Sequence, residues 1–229
     1  MVCKLIALFV VWLTMTASAV SMLIRGRSSG FISHKQSWRR YASHLAIPEK
    51  DHEIIRITKN WVQRFVYGLN LCPFSGGVIK SMKITVNRKD IRKSNTESID
   101  LCNDILREAQ YLIDGKAPTT LIVLPEFNEN FDNFLELCNV IESLLEENKL
   151  DHRIQVASFH PLYVFADSDE DDVENYTNRA PHSIIHLLLV DEVSKAINAY
   201  GDTKSIYQNN MKLMRKLGID KIKKMLKDL

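Results

Sequence analysis

Five side chains of this sequence could take part in chemistry, because they lie in three short segments where reactive polar residues stand within or beside apolar runs. They are Cys72, His160, Asn178, Arg179 and His186. A thiolate can act as a nucleophile, and an imidazole can activate it by taking its proton. The planar fork of an Arg suits a substrate carboxylate or phosphate, and an Asn amide can bind beside it. If the five side chains met in one cleft, they would suit acyl or phosphoryl transfer or hydrolysis on a small anionic molecule.

The same residues also have structural interpretations. A free Cys such as Cys72 more often packs as a small apolar residue. His160 ends a predicted strand, where it is either a general base or metal ligand, or a residue that pins the next loop by hydrogen bonds. His186 lies within an apolar strand, where a lone His is more often a satisfied core residue. Arg179 could pair with the acidic run at residues 167–172. The chain is therefore either a small enzyme or a non-catalytic binding or assembly module.

The sequence indicates no particular cofactor. It contains no Gly-rich phosphate loop, dinucleotide fingerprint, EF-hand or paired-cysteine zinc pattern. The acidic run at residues 167–172 could bind a divalent cation, although such a run is more often solvated surface. Metal binding and oligomeric state are left open by these observations.

Charge is distributed unevenly along the chain. Residues 1–48 hold six Lys or Arg and no Asp or Glu. The whole chain holds 30 basic and 28 acidic side chains, so residues 49–229 hold 24 and 28, a net charge of −4. The basic pI comes from the N-terminal part, and we expect no nucleic acid among the partners of the remainder.

Residues 1–48 predict two targeting signals in series. An apolar run at residues 5–13 is shorter than the roughly 20 residues that span a bilayer, and small residues follow it at 17–19. This pattern predicts a secretory signal peptide over residues 1–19. Residues 20–48 are rich in Ser and Arg and contain no acid, which is typical of a transit peptide.

A signal peptide followed by a transit-peptide-like segment predicts delivery to a complex plastid, with no membrane attachment once the presequence is removed. The remaining cysteines, Cys72, Cys102 and Cys138, are too few for a disulfide framework, which agrees with a reducing compartment. The alternative is secretion, and a glycosylation sequon at Asn175 would fit that alternative.

Apolar periodicity predicts a single α/β (α+β) domain over residues 49–229. The predicted helices cover residues 53–67, 97–113, 131–148, 191–200 and, as a pair broken at Gly218, 202–227. The predicted strands cover residues 82–86, 119–124, 153–159 and 183–189. Residues 160–182 show no periodicity and predict a long loop, a feature that is often functional. The order of elements predicts a mixed sheet covered by helices, with ferredoxin-like split βαβ elements and a C-terminal helical pair.

Several short strings of this sequence resemble a known family when they are taken together. They are NLCPF at 70–74, ASFHPxYxF at 157–165, TNRxP at 177–181 and HLL at 186–188. The resemblance is to the domain of unknown function 1415 family, and it runs in order from about Trp61 to about Gly218. It implies one small domain of uncharacterised activity and supplies no catalytic assignment.

The chain departs from the family pattern at three places near the third string. Ala180 stands where the family tends to have Ser, residues 182–183 replace Tyr-Pro, and residues 189–190 replace Arg-Glu. A function that depends on that Ser hydroxyl or on that charged pair cannot apply to this chain.

Overall fold

The computed structural model describes residues 48–229, with Thr203 and Lys204 described by their backbone only. The predicted signal peptide and the transit-peptide-like segment up to residue 47 lie outside the described residues.

The described chain contains seven α-helices, three short helical turns of other types and four strands. The α-helices are α1 (Glu49–Asn60), α2 (Ser75–Val78), α3 (Asn95–Ile113), α4 (Phe131–Glu147), α5 (Val190–Tyr200), α6 (Thr203–Leu217) and α7 (Ile219–Lys227). A π-helical segment, Trp61–Tyr67, continues α1, and 3-10 turns lie at Pro125–Phe127 and Val173–Thr177. The strands are β1 (Lys83–Val86), β2 (Thr119–Val123), β3 (Ile154–Phe159) and β4 (Ile184–Leu189). All the predicted helices and strands are confirmed, whereas α2 and the 3-10 turns were not predicted.

The four strands form one mixed sheet in the order β1-β2-β4-β3. β1 pairs with β2 in parallel, and β4 pairs with both β2 and β3 in antiparallel. β2 and β3 are therefore parallel with β4 between them, so β2, α4 and β3 form a split βαβ unit. This confirms the prediction of a single α+β domain with a mixed sheet.

Helices cover both faces of the sheet. Successive side chains of a strand point to opposite faces, so each strand contributes apolar residues to both helical layers. On the first face, Ile122 and Leu187 pack against Ile105 of α3 and Ile141 of α4. On the second face, strand residues pack against α1, its π-helical continuation, α6 and α7. The main contributors to this second cluster are Leu121, Val123, Ile184, Trp61, Phe65, Met214 and Ile222.

Two apolar residues within the predicted helices, Ile99 and Leu135, point outward rather than into the core. Ile99 of α3 is 59% exposed and Leu135 of α4 is 39% exposed, whereas Leu101 and Leu137 are buried at 1%. Each exposed residue lies two positions before the buried one, a rotation of about 200° in a helix with 3.6 residues per turn. Each helix therefore has one buried apolar stripe, and Ile99 and Leu135 lie outside it.

The π-helical continuation of α1 ends at Gly68, where close packing of the backbone, rather than an unusual backbone conformation, requires a glycine. Gly68 has a φ of −62°, which any residue adopts. A Cβ placed there would lie 2.4 Å from the carbonyl oxygen of Arg64. The left-handed conformation occurs two residues later, at Asn70, with a φ of 54°.

The helices of residues 48–229 include none with the length and apolarity that a bilayer-spanning helix needs.

Candidate functional site

The polar strings of the sequence meet at one edge of the sheet. β2 and β3 are parallel, so their carboxyl ends lie at this edge, and β4 begins there because it runs in the opposite direction. The segment between β3 and β4, residues 160–183, therefore leaves and returns at the same edge. The segment was predicted as a loop throughout, but it contains the 3-10 turn Val173–Thr177, which packs against α6.

His160 is fully buried at the start of this segment and bonds to several parts of it. Its backbone N–H donates to the carbonyl of Asn178 at 3.2 Å, and its carbonyl accepts from the N–H of Ala180 at 3.4 Å. Its ring Nδ1 accepts from the N–H of Leu162 at 3.0 Å. The ring proton must therefore be on Nε2, which donates to the carbonyl of Phe127 at 2.8 Å.

The surroundings of the His160 ring keep it neutral. The rings of Phe131 and Phe134 each lie 5.1 Å from it, centroid to centroid. Burial lowers the pKa of His160, and the bond to Phe127 opposes this only in part. Since both ring nitrogens bond to backbone groups, His160 cannot accept a proton or bind a metal without losing one of those bonds.

Asn175 is a second fully buried residue that holds the 160–183 segment together. Its Oδ1 accepts from the N–H of Phe165 at 3.0 Å. Its Nδ2 donates to the carbonyls of Asp169 and Glu170 at 2.7 and 3.3 Å. In the sequence, Asn175 stands out only as part of a glycosylation sequon. Because a glycan would be attached to this buried nitrogen, the sequon gives no support to secretion.

Arg179 holds the same segment through backbone carbonyls rather than carboxylates. Its Nε donates to the carbonyl of Tyr163 at 3.1 Å, and its Nη2 donates to the carbonyl of Glu170 at 2.8 Å. Its guanidinium lies 4.5 Å from the ring centroid of Tyr176. The predicted ion pair with the acidic run is thus replaced by bonds to that run's backbone, and the same donors are not free for an anionic ligand.

Asn178 is 3% exposed and belongs to a polar cluster on the first face of the sheet. Its Nδ2 donates to the carbonyl of Ser158 at 3.4 Å, and its Oδ1 accepts no hydrogen bond from the described residues. The hydroxyl of Tyr163 lies beside Asn178 and Ser158, and burial raises its pKa. The thiol of Cys138 lies beside Ser158, and burial raises its pKa too.

Glu142 completes this cluster one helical turn from Cys138, and burial raises the pKa of its carboxyl to about 7. Glu142 was not among the predicted site residues, and Ser158 and Tyr163 stood out only as members of the string at 157–165. The available signal was the spacing of four residues between Cys138 and Glu142, which places both on the sheet-facing side of α4.

His186 lies on the opposite face of the sheet from His160. Val156 and His160 lie an even number of residues apart and share one face, and Leu187 pairs with Val156 on that face. His186 is next to Leu187 and pairs with Ala157, so it lies on the other face. Its Nε2 lies 2.6 Å from the hydroxyl of Thr119.

The bonds of Thr119 assign the tautomer of His186. The single hydroxyl proton of Thr119 is donated to the carbonyl of Leu187 at 2.8 Å. His186 must therefore carry its proton on Nε2 and donate it to Thr119. Burial lowers the pKa of His186 to about 4, so this half-buried, hydrogen-bonded ring is neutral at pH 7.

Cys72 lies in a turn that α6 holds in place. Its carbonyl accepts from the N–H and the hydroxyl of Ser75 at 3.1 and 2.7 Å. The preceding carbonyl, of Leu71, accepts from Nδ2 of Asn210 at 2.8 Å. Burial raises the pKa of the Cys72 thiol, and bonds from the N–H groups of Phe74 and Ser75 only partly offset this. The thiol is therefore protonated at neutral pH, the less reactive form.

The structure thus brings His160, Asn178 and Arg179 to one edge of the sheet but does not gather all five predicted residues in one cleft. His186 lies on the other face, and neither imidazole bonds to Cys72. The single Cys/His/Arg cleft of the sequence analysis is not formed, because strand alternation separates the two imidazoles.

A shallow surface depression lies beside the carboxyl end of β1 and contains none of the five residues. Its lining residues are Val86, Asn87, Arg88, Lys89, Glu97 and Asp104. The charges there are already paired, Arg88 with Asp51 at 2.8 Å and Lys89 with Asp104. Within residues 48–229, no group of three or more His, Cys, Asp or Glu side chains is arranged to hold a metal ion.

The fold and these contacts define a small α+β domain whose polar strings hold one long segment against the edge of a mixed sheet. The chain belongs to the family described as protein of unknown function (DUF1415), whose model matches residues 53–224. No curated protein and no solved structure matches the chain. The resemblance seen in the sequence is confirmed, and the family supplies no activity.

Proposed function

We propose that this domain is a non-catalytic binding or assembly module, in which the polar strings hold the 160–183 segment in one shape. The observation that carries the proposal is that both ring nitrogens of His160 bond to backbone groups, Leu162 N–H and Phe127 carbonyl. A fixed, hydrogen-bonded surface segment is what a binding module needs, and function is often carried by such segments.

The contacts of the other predicted residues also favour a module over an enzyme acting on a small anionic molecule. A general base needs a free lone pair within reach of its substrate. The lone pair of His160 is already used, and the Nε and Nη2 groups of Arg179 donate to backbone carbonyls. Cys72 has no imidazole partner and a raised pKa, so it is not an activated nucleophile.

Substitutions at His160 test the proposal. His160→Gln keeps a donor near the position of Nε2, His160→Asn keeps an acceptor near the position of Nδ1, and His160→Ala removes both. Each backbone group left unpaired costs about 1–3 kcal/mol. We therefore expect the unfolding free energy, measured with urea, to be lowest for His160→Ala and intermediate for the other two.

An enzyme would behave differently in the same experiment. Protein beginning at Pro48 is screened by thermal shift against small metabolites and metal ions, since a ligand of the native state raises the melting temperature. The proposal fails if a small anionic molecule binds, is turned over, and is no longer turned over by His160→Gln and His160→Asn variants that keep their fold.

We further propose that the module works in a plastid. The support is the composition of residues 1–48, with an apolar run, small residues after it and a following acid-free segment. Full-length protein carrying a C-terminal fluorescent tag should enter the plastid of an alga with a complex plastid. Tagged protein found only in the medium would rule this out in favour of secretion.

A further inference from the structure

The C-terminal hairpin of α6 and α7 carries a charge opposite to that of the rest of the domain. Residues 203–229 hold eight Lys or Arg and two Asp or Glu, a net charge of +6. Residues 49–229 hold 24 basic and 28 acidic side chains, so residues 49–202 hold 16 and 26, a net charge of −10. The net charge of the whole domain conceals this separation.

Seven of the hairpin cations are exposed, and we name them together the basic surface. They are Lys212, Arg215, Lys216, Lys221, Lys223, Lys224 and Lys227. No carboxylate of residues 48–229 forms an ion pair with any of the seven, whereas Lys83, Arg88 and Lys89 of the body are each paired with an acid. The positive charge of the basic surface is therefore not neutralised by the domain itself.

The apolar faces of both helices are already buried in the second cluster. Met214 and Ile222 are fully buried, and Leu217 and Met225 pack beside them. The large apolar side chains that are exposed on the domain lie outside α6 and α7. The basic surface thus has neither the apolar residues that insert into a membrane nor the aromatic residues on which nucleic-acid bases stack.

The hairpin is held firmly against the body rather than extended as a tail. Arg56 and Asn60 of α1 donate to the carbonyl oxygen of Leu229 at 3.0 and 2.8 Å. Arg64 donates to the carbonyl oxygen of Asp228 at 2.8 Å. The cations of the basic surface are therefore presented on a fixed scaffold.

We infer that the basic surface docks a short acidic segment of another protein. This rests on the proposed function, because it names the partner of the module. The cations of α6 span residues 212–216 and those of α7 span residues 221–227, about 6 and 9 Å at 1.5 Å per residue. A short acidic segment fits within that length. A duplex nucleic acid or an anionic membrane would extend over the body, whose net charge of −10 would repel it.

The partner's chemistry is tested with a fluorescein-labelled decaglutamate peptide and protein beginning at Pro48. Binding is followed by anisotropy at low salt, where charges are least screened. The Lys221→Glu/Lys224→Glu variant reverses two charges of the basic surface. The Lys50→Glu/Lys80→Glu variant makes the same change in net charge at two exposed lysines elsewhere.

We expect the wild-type protein to bind the peptide and the variant in the basic surface to bind on the order of tenfold more weakly, since two attractions become repulsions. The control variant should bind within about twofold of wild type, and the affinity of all three should fall as salt is added.

The inference is overturned if both variants lose binding equally, if neither loses it, or if wild-type protein does not bind decaglutamate. It is also overturned if a 20-base-pair duplex DNA or vesicles containing phosphatidylglycerol bind more tightly than the peptide. These results differ from a failure of the proposed function, which would appear as His160-dependent turnover of a small molecule.

Discussion

The buried polar residues of this protein bond mainly to backbone groups. A segment as long as 160–183 with little regular structure has many N–H and carbonyl groups that need partners when they are buried. Asn175 and the guanidinium of Arg179 between them bond to the backbone of Tyr163, Phe165, Asp169 and Glu170. Residue types that suggest catalysis in a sequence are therefore used here to stabilise a loop.

At this scale we expect His160 and Arg179 to be energetically coupled. His160→Ala and Arg179→Ala should each lower the unfolding free energy by about 1–3 kcal/mol, because backbone groups lose partners. The backbone of His160 bonds to Asn178 and Ala180, which are the sequence neighbours of Arg179. In a double-mutant cycle measured by urea unfolding, the two losses should not add. Additivity within about 0.5 kcal/mol would show that the residues act separately.

Glu142 should make the stability of the domain fall as pH rises. The pKa of its carboxyl is about 7 in the folded protein, above its ordinary value of about 4.3 in an unfolded chain. Between these values the folded state holds a proton that the unfolded state has lost, so the contribution is full below pH ~4 and is lost as pH rises to about 7. Glu142→Gln should therefore be more stable than wild type at pH 8 by about 1–2 kcal/mol, a value reduced for partial exposure to solvent.

The measurement for Glu142 is urea unfolding at about pH 5 and pH 8. Glu146→Gln, an exposed position on the same helix, is the matched control and should show the same difference between the two pH values as wild type. If the unfolding free energy of Glu142→Gln at pH 8 does not exceed that of wild type, the carboxyl of Glu142 is well solvated and the prediction is wrong.

Among the helices, the hairpin of α6 and α7 depends on one residue between them. Gly218 has a φ of 76° and a ψ of 156°, a backbone conformation that is almost restricted to glycine. It lets the chain end α6 and begin α7 at once, so that Met214 and Ile222 on either side both reach the second cluster.

We expect Gly218→Ala to lower the unfolding free energy by about 1–3 kcal/mol, because the strain comes from the backbone and not from a clash. A Cβ at Gly218 would meet no atom within 4 Å. Gly77→Ala is the control, since a Cβ there is also unobstructed and the residue lies within α2. Thermal unfolding should show a loss for Gly218→Ala alone, and equal melting temperatures would refute the assignment.

For the whole molecule, we expect that the fold does not need the predicted targeting segments, residues 1–47. Among the described residues, both apolar clusters are built from residues 54–229. The sequence of residues 20–47 carries no apolar periodicity that could add to them. Protein beginning at Val20 and protein beginning at Pro48 should have the same melting temperature in calorimetry. A large loss in the shorter protein would show that the N-terminal part contributes to the core.

The sequence by itself determined the elements of this domain and the boundaries of most of them. Apolar spacing is a local property of the sequence, and the apolar stripe along α3 and along α4 is sufficient to predict each helix. The break at Gly218 and the aperiodic segment after β3 were equally local signals. The offsets at Ile99 and Leu135 arose because a stripe of this width tolerates an extra apolar residue at its border.

Only the tertiary structure decided what the polar residues do. The register between β3 and β4 places His160 and His186 on opposite faces, and a shift of one residue would have placed them on the same face. The partners of His160 and Arg179 are backbone groups distant in sequence, which have no residue-type signal. Hydrogen-bond partners in a long segment depend on where the folded chain passes, so no spacing of residues could predict them.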